Sequence, residues 1–439
     1  MQLLLIKNFG PIRSVRFEPG KCNIFIGPQA SGKSTIVKCI YFFNVLRDDL
    51  LLDLFNRIEG NIWPEKYIKV FSGLLKKRFL DFWGPTLHLN EIDLQYNYSD
   101  DDWIKITLSN PGNFINPSYS ESFIHGLRSL VAYVKSESEK YHTAHKEVKF
   151  AGDLLALQAK RSIFNEDVVN RVYELFGENR KLLFIPAGRS LISILTDQLN
   201  NVSENRLDQI TSEFIKHIVD TRQRFHNFLP ELISLLNVTN SVKPDKVLLN
   251  EAQLVINRIL KGTYIYSKDG ERLFIDKDHY VKMNYASSGQ QETVWILLII
   301  FTLLISKTPV LLVIEEPEAH LHPAAQKDIV DLIALLNNTN GNKIFITTHS
   351  PYILSSLNNL LYAWQTGRAN PTEVNKIISE KYWIDPSNST VSLLHSGTNE
   401  NILDDETKLI EIERLDSISG EIMSVFDKIY EIELANKKK

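Results

Sequence analysis

The chain has 439 residues and a formal net charge of −4, with 44% hydrophobic and 23% charged residues. This balance is ordinary for a globular protein and excludes both a disordered chain and one whose overall positive charge attracts nucleic acid. Two cysteines, Cys22 and Cys39, are too few for a disulfide framework or a four-ligand zinc site. The N-terminus lacks a signal-peptide pattern, and the longest apolar run, Val294 to Ile305, is too short to span a bilayer. We therefore expect a cytoplasmic protein with no membrane contact.

Alternating and continuous apolar runs predict strands and hairpins along much of the chain. In chain order, these cover residues 2–8, 12–18, 23–26, 92–108, 182–185, 264–275, 310–314 and 343–347. Apolar residues at helical spacing predict helices between them. The main predicted helices lie at about 33–55, through most of 57–175 outside the 92–108 hairpin, through much of 190–260, at 294–305, and at about 416–434.

The order of these elements predicts an α/β fold with a parallel sheet at its centre. We expect an α/β head that carries an antiparallel β-subdomain, an inserted and mostly helical domain, and a short helical arm. The predicted segments are head 1–56, insertion 57–175, head strand 176–190, helical arm 191–261, head 262–360, and C-terminal extension 361–439.

Residues 27–35 fit the phosphate-binding P-loop pattern, known as Walker A, in full. The loop consists of Gly27, Pro28, Gln29, Ala30, Ser31, Gly32, Lys33, Ser34 and Thr35. Its glycines let backbone N–H groups turn towards phosphate oxygens, the Lys33 ammonium reaches the β- and γ-phosphates, and the Ser34 hydroxyl ligates Mg²⁺. A predicted strand precedes the loop and a predicted helix follows it, so the sequence predicts ATP binding with Mg²⁺.

A continuous apolar strand ends in two carboxylates, Glu315 and Glu316, as in the Walker B motif. Glu315 is placed to hold Mg²⁺ through water, and Glu316 is placed to orient or deprotonate the water that attacks the γ-phosphate. By itself, such a string is equally consistent with a strand that meets a polar loop. Its position downstream of the P-loop favours the catalytic interpretation.

Two further segments add candidate phosphate ligands. Ser287, Ser288, Gly289 and Gln290 precede the apolar helix, and hydroxyl groups with small residues at a helix N-terminus form an anion site. Alone, this string is equally consistent with an ordinary helix cap. His349 follows the predicted strand at 343–347 and is the second candidate. Alone, a histidine after a strand usually has a structural role, and the order of the motifs is what favours a functional one.

The ordered set of P-loop, serine–glycine segment, carboxylate strand and histidine resembles the ABC ATPase superfamily. Ile6–Ile12 and Glu316–Pro323 are similar to the RecF, SMC and OLD branch, and the pattern is closest to ATPase subunits of bacterial antiphage systems such as Septu, retron-linked and PARIS. Ala286 and Ser288 depart from the LSGGQ signature of ABC proteins. The resemblance covers roughly residues 1–45, 181–190 and 262–360.

The resemblance implies a head-to-tail homodimer in which the P-loop of one subunit and the Ser287–Gly289 segment of the other enclose each of two ATP molecules. It gives His349 a contact with the γ-phosphate. It also implies a sensor ATPase that controls a separately encoded effector, a nuclease or a toxin. The alternative is a RecF- or SMC-like ATPase that clamps DNA between its heads, which makes DNA a second candidate partner.

The pattern departs from ABC proteins after the strand at 182–185, where those proteins carry a glutamine. Here Pro186 follows the strand, and the nearest polar candidate is Arg189. Three roles for Arg189 stay open: a phosphate contact, a link between the helical arm and the nucleotide, or a surface position. Arg13, next to the opening segment, is assigned to the nucleotide-binding set.

Overall fold

The computed structural model describes residues 1–89, 91–109, 114–147, 151–195, 207–239, 245–339 and 341–411, and its mixed architecture confirms the predicted α/β class. The strands are β1 (Leu3–Phe9), β2 (Ile12–Phe17), β3 (Cys22–Ile26), β4 (Asp93–Asn97), β5 (Trp103–Ser109), β6 (Phe114–Tyr119), β7 (Lys181–Ile185), β8 (Thr263–Ser267), β9 (Gly270–Phe274), β10 (Tyr280–Lys282), β11 (Val310–Glu315), β12 (Lys343–Thr348), β13 (Ser389–His395) and β14 (Thr398–Asn401). The helices are α1 (Lys33–Gly60), α2 (Tyr67–Trp83), α3 (Glu121–Glu147), α4 (Ala151–Phe176), α5 (Arg189–Leu195), α6 (Gln209–Arg222), α7 (Leu229–Thr239), α8 (Lys246–Leu260), α9 (Ser288–Ser306), α10 (Pro323–Asn337), α11 (Pro351–Ala369) and α12 (Pro371–Ile377).

One large sheet organises the described part of the chain. Its strand order is β6-β5-β4-β1-β2-β14-β13-β3-β12-β11-β7, and β8 to β10 form a second, three-stranded sheet. From β13 to β7 the neighbouring strands are parallel, whereas β1, β2 and β4 to β6 pair antiparallel. The expected antiparallel β-subdomain is thus continuous with the parallel sheet.

The parallel strands are buried on both faces, which explains why they are continuous apolar runs in the sequence. Successive side chains of a strand point to opposite faces. Accordingly, Ile24 and Leu312 belong to one hydrophobic cluster, while Phe25 and Leu311 belong to another on the opposite side of the sheet. Helices cover both faces and leave the ends of the strands for the site.

Strand register brings the predicted site residues to one edge of the sheet. Thr348 at the end of β12 lies opposite Ile26 at the end of β3, and Glu315 at the end of β11 lies opposite Thr347. The loops that follow parallel strands at their carboxyl ends are the usual ligand sites of such sheets. The P-loop, Glu316 and His349 all follow these strand ends.

The stretch 57–175, predicted as an insertion, is built onto this sheet. It supplies the predicted helices as α2 to α4, but β4 pairs with β1, where Tyr96 lies opposite Leu4. Phe71 and Phe123 share a hydrophobic cluster with Ile6 of β1. The stretch therefore packs as a continuation of the head, although its predicted boundaries stay a prediction.

The predicted hairpin at 92–108 is confirmed as β4 and β5, and that at 264–275 as β8 and β9.

Residues from the predicted C-terminal extension also enter the main sheet, which the sequence pattern did not predict. Strand β13 lies beside β3 in parallel, with Ser392 opposite Phe25. Ser396 and Gly397, with φ of 51° and 80°, form the two-residue turn that connects β13 to β14. The strand that carries the P-loop is thus flanked by this extension. The helix predicted at about 416–434 lies outside the described residues.

Helix α9 is the one described helix that is long and apolar enough to cross a membrane, with a mean hydropathy of 1.5. However, 72% of its apolar window is buried inside the protein. Trp295, Leu298 and Phe301 all lie in the hydrophobic cluster that covers one face of the sheet. The predicted buried helix at 294–305 is therefore confirmed.

Candidate nucleotide-binding site

The P-loop connects the end of β3 to the start of α1, and its backbone requires glycine at two positions. Gly27 has a φ of 150°, and a Cβ atom there would lie 2.2 Å from the carbonyl oxygen of Leu394 in β13. Gly32 has a φ of 101°, and its Cβ would lie 2.7 Å from Cγ1 of Ile12. The first turn of α1 contains no acidic residue, so its N-terminus remains favourable for an anion.

The Lys33 ammonium lies inside the loop that it follows. Its Nζ atom donates hydrogen bonds to the carbonyl oxygens of Gly27 and Pro28, both at 2.8 Å. The residue is buried, and this burial lowers the pKa of Lys33 to about 8, against the opposing effect of the Glu316 and Glu318 carboxylates. The cation is therefore held at the point where the loop would receive phosphate.

The two carboxylates at the end of β11 have different environments. Glu315 is buried, whereas the Glu316 side chain is about two-fifths exposed and has a backbone φ of 45°. A positive φ is unfavourable for a residue with a side chain and is often found at functional sites. The Glu316 N–H donates to the Thr347 carbonyl oxygen at 2.9 Å. This hydrogen bond attaches the turn after β11 to the end of β12. The geometry thus directs Glu316 towards solvent and Glu315 into the protein.

His349 connects Glu316 to the P-loop. Its Nε2 atom lies 3.4 Å from Oε1 of Glu316, and its Nδ1 atom lies 3.4 Å from Nζ of Lys33. Glu318, which the sequence motif contains but to which no role was assigned, fixes this position. Its Oε1 atom accepts hydrogen bonds from the His349 N–H and the Thr348 hydroxyl, both at 2.7 Å. The site therefore includes Glu318 as a residue that orients the histidine.

The residues predicted to hold Mg²⁺ present suitable oxygen atoms. Oε2 of Glu315 accepts a hydrogen bond from the Ala187 N–H at 3.2 Å, while its Oε1 atom is buried with no hydrogen-bond partner in the described part of the chain. Ser34 is exposed in the first turn of α1. A buried, unpaired carboxylate oxygen and a hydroxyl group fit a hard cation that takes oxygen ligands, as Mg²⁺ does.

The predicted serine–glycine segment forms the N-terminus of α9. Ser287 caps the helix, and its N–H and hydroxyl both donate to Oε1 of Gln290 at 3.0 Å, within a reciprocal capping box. Nε2 of Gln290 also donates to the Leu260 carbonyl oxygen at 2.7 Å. Both ends of this side-chain amide are therefore hydrogen-bonded within the same chain. Ser287 and Ser288 are exposed at the positive end of the helix dipole.

The structure excludes one of the three roles left open for Arg189. The residue is fully buried, so the surface alternative is wrong. Its guanidinium donates to backbone carbonyl oxygens, including those of Glu315 and Glu316, rather than pointing out of the protein. Burial lowers the pKa of Arg189, and the Glu292 carboxylate opposes that effect. The phosphate contact and the link to the nucleotide both stay predictions.

Arg13 contacts the turn between β13 and β14. Its side chain is exposed, and its backbone N–H donates to the Gly397 carbonyl oxygen at 2.8 Å in the turn between β13 and β14. Pro11 and Ile12, immediately before it, pack beside Gly32 of the P-loop. A contact between Arg13 and nucleotide stays a prediction.

Comparison with known proteins adds a family and several structural relatives. The family model described as the AAA ATPase domain matches residues 1–354. The lipoprotein-releasing system ATP-binding protein LolD of Neorickettsia sennetsu is 25% identical over 138 residues, which are 31% of this chain and 55% of LolD. The chain thus spans about half the length of that curated relative.

Two solved structures illustrate the structural similarity. The first is an Smc head domain with an extended coiled coil bound to the C-terminal domain of ScpA from Pyrococcus furiosus, at 13% identity and a TM-score of 0.38, covering 96% of this chain and 100% of that chain. The second is the ATP-binding cassette MJ1267 of an ABC transporter in its ADP conformation, at 12% identity and a TM-score of 0.29, covering 91% of this chain and 90% of that chain.

Proposed function

Because the chain belongs to the AAA ATPase domain family, we propose that it hydrolyses ATP with Mg²⁺ as a head-to-tail homodimer. The observation that carries this proposal is the linked series of Lys33, His349 and Glu316, in which each neighbouring pair lies 3.4 Å apart. A phosphate-binding cation, a polar switch residue and a carboxylate are the parts that water attack on a γ-phosphate requires.

Each residue has a separate task in the proposed reaction. The P-loop N–H groups and Lys33 bind the phosphates, while Ser34 and Glu315 would hold Mg²⁺. Bound Mg²⁺ neutralises negative charge on the β- and γ-phosphate oxygens. Glu316 orients the attacking water and accepts its proton, and His349 contacts the γ-phosphate from the adjacent strand end.

The dimer is proposed because the segment at the start of α9 is exposed while its chemistry suits phosphate. Ser287, Ser288 and Gly289 would contact the γ-phosphate of ATP bound by the other subunit. This arrangement makes each active site a composite of two chains. It also makes hydrolysis depend on dimer closure.

For the biological role, we propose a regulatory ATPase in antiphage defence that controls a separately encoded nuclease or toxin in the cytoplasm. The support is the resemblance of Ile6–Ile12 and Glu316–Pro323 to ATPase subunits of such systems. The same segments are similar to RecF and SMC proteins, so DNA clamping is the alternative. The two roles share the ATPase and differ in the partner that responds to it.

The ATPase is tested by measuring phosphate release from the purified chain with ATP across a titration of Mg²⁺, with EDTA as the control. We expect turnover that needs Mg²⁺ and that disappears in Lys33→Ala. Turnover that persists in EDTA would contradict the metal requirement, and full activity in Lys33→Ala would contradict the site.

The biological role is tested by phage challenge of cells that express this chain with its flanking genes, beside cells that carry Lys33→Ala. Protection that Lys33→Ala abolishes supports the defence role. No protection by the wild type, together with salt-dependent DNA affinity of the purified chain alone, would support DNA clamping.

A further inference from the structure

Arg189 lies where three parts of the site meet: the segment after β7, the start of α9 and the carboxylates Glu315 and Glu316 at the end of β11. Its Nη1 atom donates to the carbonyl oxygen of Glu315 at 2.7 Å, and its Nη2 atom donates to that of Glu316 at 2.9 Å. Its Nε atom donates to the carbonyl oxygen of Glu292 in α9 at 2.8 Å. A planar guanidinium can make these bonds together, because its donors form a fixed fork.

The side chain of Glu292 in turn accepts hydrogen bonds from the backbone around Arg189. One carboxylate oxygen accepts the Arg189 N–H and the other accepts the Ser190 N–H, both at 3.0 Å, so this carboxylate caps α5. Arg189 and Glu292 are both buried. Buried ion pairs contribute little net stability because desolvation is costly, so a role in fixing geometry explains this pair better than a role in stability does.

The geometry that Arg189 fixes is the strained turn at Glu316. With a φ of 45°, this residue would relax to a more favourable conformation if nothing held it. The Thr347 carbonyl oxygen holds its N–H, and Arg189 holds its carbonyl oxygen. The Thr347 hydroxyl also accepts from the Glu316 N–H at 3.3 Å, and the Ala319 N–H also donates to the Glu316 carbonyl oxygen at 3.1 Å. Arg189 thus supplies the one side-chain donor among the four hydrogen bonds described for the Glu316 backbone.

The same network reaches the exposed start of α9. Gln291, next to Glu292, donates through Nε2 to the carbonyl oxygens of Met283, Asn284 and Ala286, just before Ser287. A Cβ atom on Gly289 would lie 2.7 Å from the His320 carbonyl oxygen, so the first turn of α9 packs directly on the loop after Glu316. A displacement of the Ser287 segment would therefore shift the loop that contains Glu316.

We propose that Arg189 is a positioning residue that holds Glu316 in its strained conformation and, through Glu292, ties that conformation to the Ser287 segment. This inference rests on the proposed function, since it is the partner's nucleotide that would contact Ser287. In the assembled dimer, the Ser287 segment of one subunit would contact the nucleotide bound by its partner. Through Arg189, that contact would change the position of Glu316 in the same subunit, which serves the other composite site. Arg189 is fully buried, and its guanidinium donates to backbone carbonyl oxygens.

The test compares kcat and nucleotide affinity in Arg189→Lys, which keeps the charge but loses the fork. Because misplacement of a catalytic group by about 1 Å costs on the order of 10²-fold in rate, we expect kcat to fall at least about tenfold. The affinity for a non-hydrolysable ATP analogue should stay within about threefold, since no phosphate ligand is changed. Unchanged kcat, or an affinity loss as large as the loss of kcat, would overturn the proposal.

Ser193→Ala is the matched control on the same α5–α9 contact. The Ser193 hydroxyl donates to the Gln291 carbonyl oxygen at 2.7 Å and accepts from Nε1 of Trp295 at 3.0 Å, and neither bond involves the carboxylates after β11. We expect its kcat to stay within about twofold of wild type. A loss in Ser193→Ala equal to that in Arg189→Lys would mean that general loosening of α5 explains both, which would overturn the proposal.

Glu292→Gln tests the link to α9 and serves as the second variant if Arg189→Lys does not fold. It keeps the side-chain shape and removes the counter-charge, so we expect a loss of about threefold to tenfold in kcat, with unchanged affinity for the analogue. In the double variant, the two losses should not multiply, because both act through one network. Wild-type kcat in Glu292→Gln, or fully multiplicative losses, would overturn the link.

Wild-type turnover in the same assay tests the proposed function separately, since an inert wild type would contradict that function alone.

Discussion

The imidazole of His349 lies between Glu316 and Lys33, 3.4 Å from the carboxylate of one and 3.4 Å from the ammonium of the other. With Nδ1 as acceptor from the ammonium, the neutral imidazole carries its proton on Nε2, the nitrogen that faces the Glu316 carboxylate. The bridge joins the P-loop after β3 to the turns after β11 and β12. Phosphate chemistry at this edge would therefore involve all three residues.

Lys33→Ala should abolish ATP binding. The substitution removes the charge that faces the β- and γ-phosphates, whereas the loop backbone keeps the glycine conformations at Gly27 and Gly32. Isothermal calorimetry with ATP measures the effect, with Lys38→Ala on the same helix as the control that should bind normally. Wild-type affinity in Lys33→Ala would show that this loop is not the nucleotide site.

Glu316→Gln should bind ATP and hydrolyse it roughly 10² to 10⁴ times more slowly, because the amide cannot accept a proton from water. The change also removes negative charge near the γ-phosphate, so the variant should accumulate as an ATP-bound dimer. Single-turnover phosphate release and mass measurement in ATP report the two effects. Hydrolysis at the wild-type rate would mean that another group is the base.

Glu315→Gln provides the matched comparison to Glu316→Gln. Glu315 is the buried member of the pair, with one oxygen that has no hydrogen-bond partner among the described residues. Its amide variant should weaken Mg²⁺-dependent nucleotide binding, measured as the shift of the Mg²⁺ titration midpoint. An unshifted midpoint would remove Glu315 from the proposed metal ligands.

The nucleotide site could be predicted from sequence where its chemistry is local. Gly27 to Thr35 is a contiguous motif. The two adjacent carboxylates at the end of an apolar strand indicated a site there, and the turn after β11 does expose Glu316. His349 was predicted from the order of the motifs, and the register between β12 and β3 accounts for its position. The α/β class followed from apolar runs at β3, β11 and β12, which are buried on both faces.

Other features depend on tertiary packing, which a single sequence does not display. Arg189 could not be assigned because its acceptors are backbone oxygens in segments distant along the chain. Strand β13 was missed because its buried residues include Ser389 and Ser392, which break the apolar run. The Ser396–Gly397 turn after it was the available signal. Glu318 lay within a recognised motif, but only the fold shows that it binds the His349 N–H.

His217 in α6 should make the protein less stable in mild acid. Burial, with a smaller effect of Lys181, lowers the pKa of His217 from 6.5 to about 4. Since the unfolded chain takes up this proton first, its contribution to stability is present above pH 6.5 and is lost as the pH falls towards 4. We expect this loss to be about 1–3 kcal/mol, nearer the lower value because the side chain is partly exposed.

Urea unfolding at pH 7 and at pH 4.5 measures this effect in wild type and in His217→Gln, which cannot titrate. The free energy of unfolding should fall less in His217→Gln than in wild type, while the carboxylates contribute equally to both. Equal losses in the two proteins would mean that the pKa of His217 is the same in the folded and unfolded chains.

The shared active site can be tested with Ser287→Arg. Ser287 is exposed at the start of α9, so the variant should fold and bind ATP as a monomer. The bulky cation should block closure against the partner and remove hydrolysis. Ser355→Arg, at an exposed position of α11, is the control that should keep wild-type turnover.

The most direct measurement is ATPase activity across mixing ratios of Ser287→Arg and Lys33→Ala, with native mass analysis to confirm heterodimers. In a heterodimer, both defects fall in one composite site, and the other site keeps an intact P-loop and an intact Ser287 segment. The account predicts that activity returns in the mixture although each variant alone is inactive. Full activity of Ser287→Arg alone would contradict the account.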